Sequence, residues 1–143
     1  MTTHHFEGRC HCGNISYVFT ASAGLGVLGL RACQCSFCRA HGARTTSDPN
    51  GTIAIRVADR AKLQLYRFGM ATADFVICRH CGVFIGALME DADKRYFTVN
   101  ASSFRPVPPP GAFESPHDFG AEDAAGRIAR RKAKWTPVTE FSS

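Results

Sequence analysis

The sequence predicts a mainly β protein, a mostly antiparallel domain that bound metal cross-links. Two observations support this: short β-rich runs separated by turn signals fill the first hundred residues, and seven cysteines fall into three closely spaced groups. The chain has 143 residues, of which 45% are hydrophobic, so it can bury one core. A chain of this size still benefits from cross-links, which the cysteines could supply.

Six runs have the composition of strands, because β-branched and aromatic residues favour a pleated, half-buried surface. They are ISYVF (15–19), TIAIRV (52–57), LQLY (63–66), DFVIC (74–78), VFIGAL (83–88) and YFTVN (96–100). The Pro and Asn-Gly of SDPNG (47–51) favour a turn between two of them. The glycine-rich segment 21–30 lacks the Lys-Ser/Thr ending of a phosphate loop, so it is expected to lead into a strand that carries Cys33.

The composition changes after Phe104, where PVPPPG forms a stiff extended segment that cannot continue a sheet interior. We therefore predict a zinc-binding β domain at 1–105. Residues 106–143 are predicted to be a Pro-rich segment and a basic C-terminal extension that packs on the same domain. Within the extension, 121–135 predicts a short helix with acidic residues first and basic residues last, as the helix dipole favours. The segment from Arg105 onward contains six basic and five acidic residues, so its charges nearly balance. This balance favours a helix whose charged side is solvated over one that binds nucleic acid.

The sequence indicates a cytoplasmic protein that does not enter a membrane. The N-terminal MTTHHFEGRC has no apolar stretch after a basic start, and no run of about 20 apolar residues could span a bilayer. In a reducing compartment, closely spaced cysteines are typical of metal ligands, whereas disulfides would leave one of the seven thiols over. The formal charge of +5 treats those thiols as neutral. Metal-bound thiolates would remove most of the basic excess.

The spacing of the cysteines predicts how they share two ions. They form a CxC pair (Cys10, Cys12), a CxCxxC group (Cys33, Cys35, Cys38) and a CxxC pair (Cys78, Cys81). Alternate residues of a strand point to one face, so each CxC pair can present both sulfurs to one ion, whereas CxxC suits a tight turn. The partition that keeps each group intact and fills a four-coordinate site joins the CxC pair to the CxxC pair. That arrangement is a closed structural zinc site.

The CxCxxC group then supplies three ligands to a second ion. Catalytic zinc typically has three protein ligands and an open fourth position, which makes Cys33, Cys35 and Cys38 candidate catalytic ligands. His41, with His11 and His80 as further candidates, could instead close the site and make it structural. Tetrahedral thiolate ligation favours zinc, although iron would satisfy similar ligands.

Three segments, GRCHCGNISY, CQCSFCRAHG and FVICRHCGVFIG, resemble in order and spacing the glutathione-dependent formaldehyde-activating enzyme family, which includes centromere protein V-like proteins. The resemblance covers roughly residues 6–104. It implies a β-tent fold of several small coiled antiparallel sheets pinned by two zinc ions. It also implies a structural zinc on the positions matching Cys10, Cys12, Cys78 and Cys81, and a catalytic zinc on Cys33, Cys35 and Cys38.

The founding activity of that family is the condensation of formaldehyde with glutathione to S-hydroxymethylglutathione, classed as a carbon-sulfur lyase. The resemblance therefore implies a zinc-dependent lyase whose partner is a small-molecule thiol or thiol adduct, such as one of glutathione. Arg39, or alternatively Arg31, is the candidate for binding a substrate carboxylate, unless these arginines only balance the thiolates. The alternative function is a non-catalytic, zinc-stabilised module that binds a protein or nucleic acid.

The C-terminus departs from the pattern of that family. His117 is followed here by Asp118, Phe119 and a longer basic insertion before Trp135. If this segment folds over the catalytic zinc as a lid, it would alter the choice of substrate. The alternative is that Trp135 and its aromatic neighbours only pack in a core.

Overall fold

Strands make up most of the regular structure in residues 3–142, the part of the chain that the computed structural model describes. The strands are β1 (His4–Arg9), β2 (Ile15–Ala21), β3 (Leu30–Cys33), β4 (Thr45–Thr46), β5 (Thr52–Val57), β6 (Leu63–Tyr66), β7 (Asp74–Cys78), β8 (Phe84–Asp91), β9 (Lys94–Asn100), β10 (Glu114–His117) and β11 (Thr136–Ser142). The helices are α1 (Leu25–Leu28), α2 (Ser36–His41) and α3 (Ala124–Lys134). The mainly β class with a short C-terminal helix is confirmed. Within this range no helix is long and apolar enough to cross a membrane.

All eleven strands join one mixed sheet. The main path runs β1-β2-β5-β11-β9-β4-β3-β10, and β6, β7 and β8 branch from it through the pairing of β8 with β9. The pairings are antiparallel except those of β3 with β10 and of β5 with β11. One sheet forms, rather than several, because β11 pairs with β9 at its start and with β5 after a bulge between Val138 and Glu140.

The predicted strands are confirmed where the run is rich in apolar, β-branched and aromatic residues. The bounds of β5, β6 and β7 match the predicted runs, and a strand does carry Cys33. Strands β1, β4, β10 and β11 were not distinguishable by composition, since they are short or carry polar residues and prolines, as in ESPH of β10 and TPVTEFS of β11. Their conformation depends on pairing with neighbours from distant parts of the chain.

The principal core is formed by β2 and β5, by residues of β3, β7, β8 and β9, and by the region after β9, with β1 packed against it. Strand β2 alternates buried and less buried residues along its length, as a half-buried strand does. Phe19 and Phe104 are almost fully buried, and the ring of Phe6 stacks on both, with ring centroids 5.7 and 5.1 Å apart respectively. This core fixes the β1-β2 hairpin, whose turn carries Cys10 and Cys12.

Replacement of Gly8 by Ala is expected to destabilise this core by about 1–3 kcal/mol, because the added methyl group would overpack it. A Cβ on Gly8 would overlap the ring of Tyr17 and lie 2.7 Å from the carbonyl oxygen of Ser103. Urea unfolding of the metal-loaded protein measures the change. Gly26→Ala is the matched control, since its Cβ would meet no atom within 4 Å. Equal stability of the two variants would contradict the prediction.

Candidate metal centres and the adjoining cavity

Four cysteine sulfurs from two distant hairpins meet at one point. The Sγ atoms of Cys10, Cys12, Cys78 and Cys81 all lie within 4.8 Å of one another. The Sγ atom of Cys12 is 3.7 Å from that of Cys10 and 3.6 Å from that of Cys78. A tetrahedral zinc with Zn–S bonds of about 2.3 Å separates its sulfurs by about 3.8 Å. These four sulfurs therefore fit one tetrahedral ion, and we refer to them as the four-cysteine cluster.

Two tight turns build this cluster. Cys78 ends β7, and the amide N–H of Cys81 donates to its sulfur over 3.4 Å, before Gly82 at a φ of 82° leads the chain back into β8. The CxxC turn is thus as predicted. The strand geometry expected for Cys10 and Cys12 is wrong, since β1 ends at Arg9 and both lie in the turn that follows. In that turn Gly13, at a φ of 84°, occupies the place that Gly82 holds in the other.

Burial makes ionised thiols in this cluster energetically unfavourable unless a cation lies among them. Cys10 and Cys78 expose none of their surface. Burial raises the pKa of the Cys10 thiol, and it raises the pKa of Cys78 to about 12. Thiolates at such positions need a compensating positive charge, which a divalent metal would supply.

The other three cysteines meet at the junction of β3 and α2, and we refer to them as the three-cysteine cluster. Cys33 ends β3, Cys35 caps the N-terminus of α2, and Cys38 lies in the first turns of that helix. The Cys35 sulfur accepts a hydrogen bond from the backbone N–H of Cys38 at 3.4 Å. All three sulfurs lie within 4.8 Å of one another, so they could hold a second ion.

The ionisation of these three thiols is strongly linked. Hydrogen bonds from Cys33 and Cys38 lower the pKa of Cys35 to about 2. The hydrogen bond with Cys35 raises the pKa of Cys33, and hydrogen bonds with Cys33 and Cys35 raise the pKa of Cys38 above the usual thiol value. One thiolate thus forms easily, but three together repel one another unless a cation lies among them. Such a donor set fits a soft divalent metal.

His41 does not complete the three-cysteine cluster. Among residues 3–142, the group of mutually close ligand atoms at this point contains only the three sulfurs. The ring of His41 packs instead against Phe37, at 4.4 Å between centroids and an interplanar angle of 32°, and lies 5.6 Å from the ring of Phe84. His11 and His80 are exposed residues between the ligands of the four-cysteine cluster. The two clusters therefore differ: one offers four sulfurs, and the other offers three.

A cavity of about 270 Å³ lies beside the three-cysteine cluster, and Cys33, Cys35 and Cys38 form part of its wall. Aromatic rings form much of the remaining wall: Phe68, Phe75, Phe84, Phe119 and Trp135. Asp118 is the one carboxylate in the lining that the described residues form, and its Oδ1 accepts a hydrogen bond from the Gly120 N–H. The three-cysteine cluster is thus reachable by a small molecule held among aromatic side chains.

Four arginines complete the wall of this cavity: Arg31, Arg127, Arg130 and Arg131. Three of them come from α3, which begins after Asp123, whose carboxylate accepts a hydrogen bond from the Gly126 N–H at 2.7 Å. The expectation of a solvated helix face holds for the exposed Lys132 and Lys134 but not for these arginines. The sequence places basic residues at helical spacing, yet it does not show which face the helix turns inward.

The two arginines proposed from the sequence occupy different surroundings. Arg31 lines the cavity, and its Nη2 donates to Ser47 Oγ at 2.7 Å and Thr98 Oγ1 at 2.9 Å. Burial lowers the pKa of Arg31 to about 10. Arg39 is exposed on α2 and is not among the residues that line the cavity. A role for Arg39 in binding substrate stays a prediction.

Trp135 ends the segment that covers the cavity. It is 5% exposed, and it packs in a small cluster with Ala73, Ala87 and Met89 while also lining the cavity. The C-terminal segment therefore lines the cavity beside the three-cysteine cluster, and Trp135 also packs in a core. A role of this segment as a lid stays a prediction.

Comparisons with known proteins found similarity to a protein family and to a solved structure. The sequence pattern of a family described as glutathione-dependent formaldehyde-activating enzyme matches residues 5–118. A crystal structure of a protein from Rhodobacter sphaeroides is 30% identical, with a TM-score of 0.58, over 77% of this chain and 97% of that one. No curated protein matches the chain. The matched region ends before α3 and β11.

Proposed function

Because the chain belongs to the glutathione-dependent formaldehyde-activating enzyme family, we propose that it is a zinc-dependent carbon-sulfur lyase acting on the adduct of a small thiol with an aldehyde. The observation that carries this proposal is the contrast between the two clusters. The four-cysteine cluster offers a complete set of four ligands, two of them fully buried, whereas the three-cysteine cluster forms part of a cavity wall. We assign a structural zinc to the first and a catalytic zinc to the second.

The reaction joins the thiol sulfur to the aldehyde carbon, and the thiol proton ends on the new hydroxyl oxygen. The reverse reaction breaks the same C–S bond and releases both partners. When bound by Cys33, Cys35 and Cys38, zinc supplies a Lewis acid that favours the thiolate form of the substrate. Neither formation nor cleavage of the adduct requires an oxidant or a reductant.

The chain's own residues contribute binding and exclusion of water. The aromatic wall surrounds the reacting atoms with apolar groups, which strengthens the electrostatic interactions made there. The lining arginines favour an anionic substrate. Asp118 is placed where it could accept or return the proton that moves between sulfur and oxygen. Arg39, which follows Cys38 on α2, is proposed to contact a carboxylate that extends beyond the cavity, such as one of glutathione.

A screen of thiol and aldehyde pairs on the zinc-loaded protein tests this function. Thiols and aldehydes also combine spontaneously, so the rate of adduct exchange is best measured by NMR magnetisation transfer, with and without the protein. We expect the protein to accelerate exchange of at least one adduct, of glutathione or of a smaller thiol, and this acceleration should be lost after the zinc is removed by a chelator.

The alternative of a non-catalytic module gives a different result. The protein would then hold two zinc ions per chain and accelerate no adduct in the screen. Zinc X-ray absorption would show a fourth protein ligand at the second ion. The absence of acceleration, or a fourth protein ligand at the second ion, would contradict the proposed function.

A further inference from the structure

Two of the four cavity arginines form no ion pair with a carboxylate of residues 3–142. Glu122 forms ion pairs with both Arg130, at 2.8 Å, and Arg127, at 3.6 Å. Among residues 3–142, no carboxylate oxygen lies within 4.0 Å of the guanidinium nitrogens of Arg31 or Arg131. Neither guanidinium group therefore forms an ion pair within this range, although the charge of Glu122 acts on Arg131 from beyond that distance.

Arg131 is also incompletely hydrogen-bonded in a buried position. The residue is 7% exposed, and its guanidinium carbon lies 4.7 Å from the centroid of the Trp135 ring. Its Nη1 donates to Thr72 Oγ1 at 2.8 Å, but its Nε is buried without a hydrogen-bond acceptor among the described residues. Burial lowers the pKa of Arg131 to about 10. A buried cationic donor of this kind is costly unless an anion binds it.

The partners of both arginines orient them without neutralising them. Arg31 is held by Ser47 and Thr98, and Arg131 by Thr72 and Trp135. All these partners are uncharged hydroxyl groups or an aromatic ring. Within the described part of the chain Arg131 donates from Nη1 alone, so its Nε and Nη2 form a parallel pair of donors for a planar oxyanion. The Nη2 of Arg31 already donates twice, so Arg31 would add a single hydrogen bond from Nη1.

The three-cysteine cluster offsets only part of this charge. Three thiolates around a divalent ion carry one net negative charge. Asp118 and Glu122 each add one further negative charge, whereas the four lining arginines together carry four positive charges. One positive charge is therefore left in the cavity for a ligand.

The size of the cavity limits that ligand. About 270 Å³ is below the usual range for pockets that bind drug-sized molecules, which begins at about 300 Å³. A compact thiol that carries one carboxylate, or its aldehyde adduct, has a suitable size and charge. Arg131 and Trp135 lie beyond the residues that match the family, so the recognition would be a property of the C-terminal segment of this chain.

We propose that Arg31 and Arg131 form a carboxylate-binding subsite beside the three-cysteine cluster, which selects small mercaptocarboxylates and their aldehyde adducts over neutral thiols. This substrate class rests on the proposed function, because it assumes that the thiol sulfur binds at the three-cysteine cluster. The carboxylate then binds between β3 and α3, with the aromatic wall around the intervening carbons.

Calorimetric titration of the zinc-loaded protein with three probes tests this subsite. The probes are 3-mercaptopropionate, 2-mercaptoethanol, which has the thiol but no carboxylate, and propionate, which has the carboxylate but no thiol. We expect 3-mercaptopropionate to bind about 10- to 100-fold more tightly than 2-mercaptoethanol, as charge-assisted hydrogen bonds allow. Arg131→Gln should abolish most of this preference, and Arg131→Lys should retain part of it, because lysine keeps the charge but not the planar donors.

Two further variants keep the test decisive. Arg31→Gln should reduce the same preference, which covers the case in which Arg131→Gln fails to fold. Lys132→Gln is the matched control, since Lys132 lies next to Arg131 on α3 but is exposed and pairs with Asp91 at 2.9 Å. Its preference should equal that of the unaltered protein. Circular dichroism and zinc content establish that each variant is folded and loaded.

The outcomes separate this inference from the proposed function. Equal affinity for the two thiols, or an unchanged preference in folded Arg31→Gln and Arg131→Gln variants, would overturn the subsite and leave the thiol chemistry intact. If propionate binds as tightly as 3-mercaptopropionate and the arginine variants weaken both, the subsite stands and the proposed binding of thiol fails.

Discussion

Replacement of Cys78 by Ser is expected to unfold or aggregate the protein. Cys78 is fully buried at the end of β7, where its cluster joins the β1-β2 hairpin to the β7-β8 turn. Structural zinc contributes about 10–16 kcal/mol in zinc-finger peptides, which is comparable to the whole stability of about 5–15 kcal/mol of a typical domain. Serine is a poor zinc ligand, and its hydroxyl group would lie buried beside three uncompensated thiols.

Circular dichroism, thermal unfolding and zinc analysis of the purified variant measure this effect. Chelation of the unaltered protein with an excess of EDTA is the matched control, because it removes the metal from both clusters without changing a side chain. Both treatments should give the same loss of structure. A Cys78→Ser variant that keeps its normal melting temperature would show that the four-cysteine cluster is not a structural metal site.

Replacement of Cys35 by Ser is expected to have the opposite pattern, with loss of activity and retention of the fold. The three-cysteine cluster joins residues that are close in sequence, so its loss opens no long loop. Cys35 is the N-cap of α2, and serine is a preferred residue at that position, so the helix should persist. Turnover of the thiol adduct should fall by about 1000-fold, since Lewis-acid stabilisation of a transition state is worth several kcal/mol.

The measurements are zinc content, which should fall from two ions to one, melting temperature and the rate of adduct exchange by NMR. Ser36→Ala, next to Cys35 but not a candidate ligand, is the control for a general disturbance of α2. Equal destabilisation by Cys35→Ser and Cys78→Ser would contradict the division into a catalytic and a structural ion.

Much of the candidate site follows from short stretches of sequence. A CxxC spacing followed by glycine requires a turn in which two sulfurs approach, and this holds for Cys78, Cys81 and Gly82. The grouping of the seven cysteines as four and three matches the partition inferred from spacing alone. The CxC pair at Cys10 shows the limit of such reasoning, because a turn with Gly13 positions the sulfurs and no strand does.

By itself, the sequence determined the β class, the most regular strands and the ligand groups, because each depends on interactions within about ten residues. Only the tertiary structure decided how the one sheet closes, since β11 pairs with strands more than thirty residues away in the chain. It also decided that the ring of His41 turns onto Phe37 and that Arg131 lines the cavity beside the three-cysteine cluster. Those positions depend on which surfaces remain to be buried when distant segments pack, and local composition does not encode that choice.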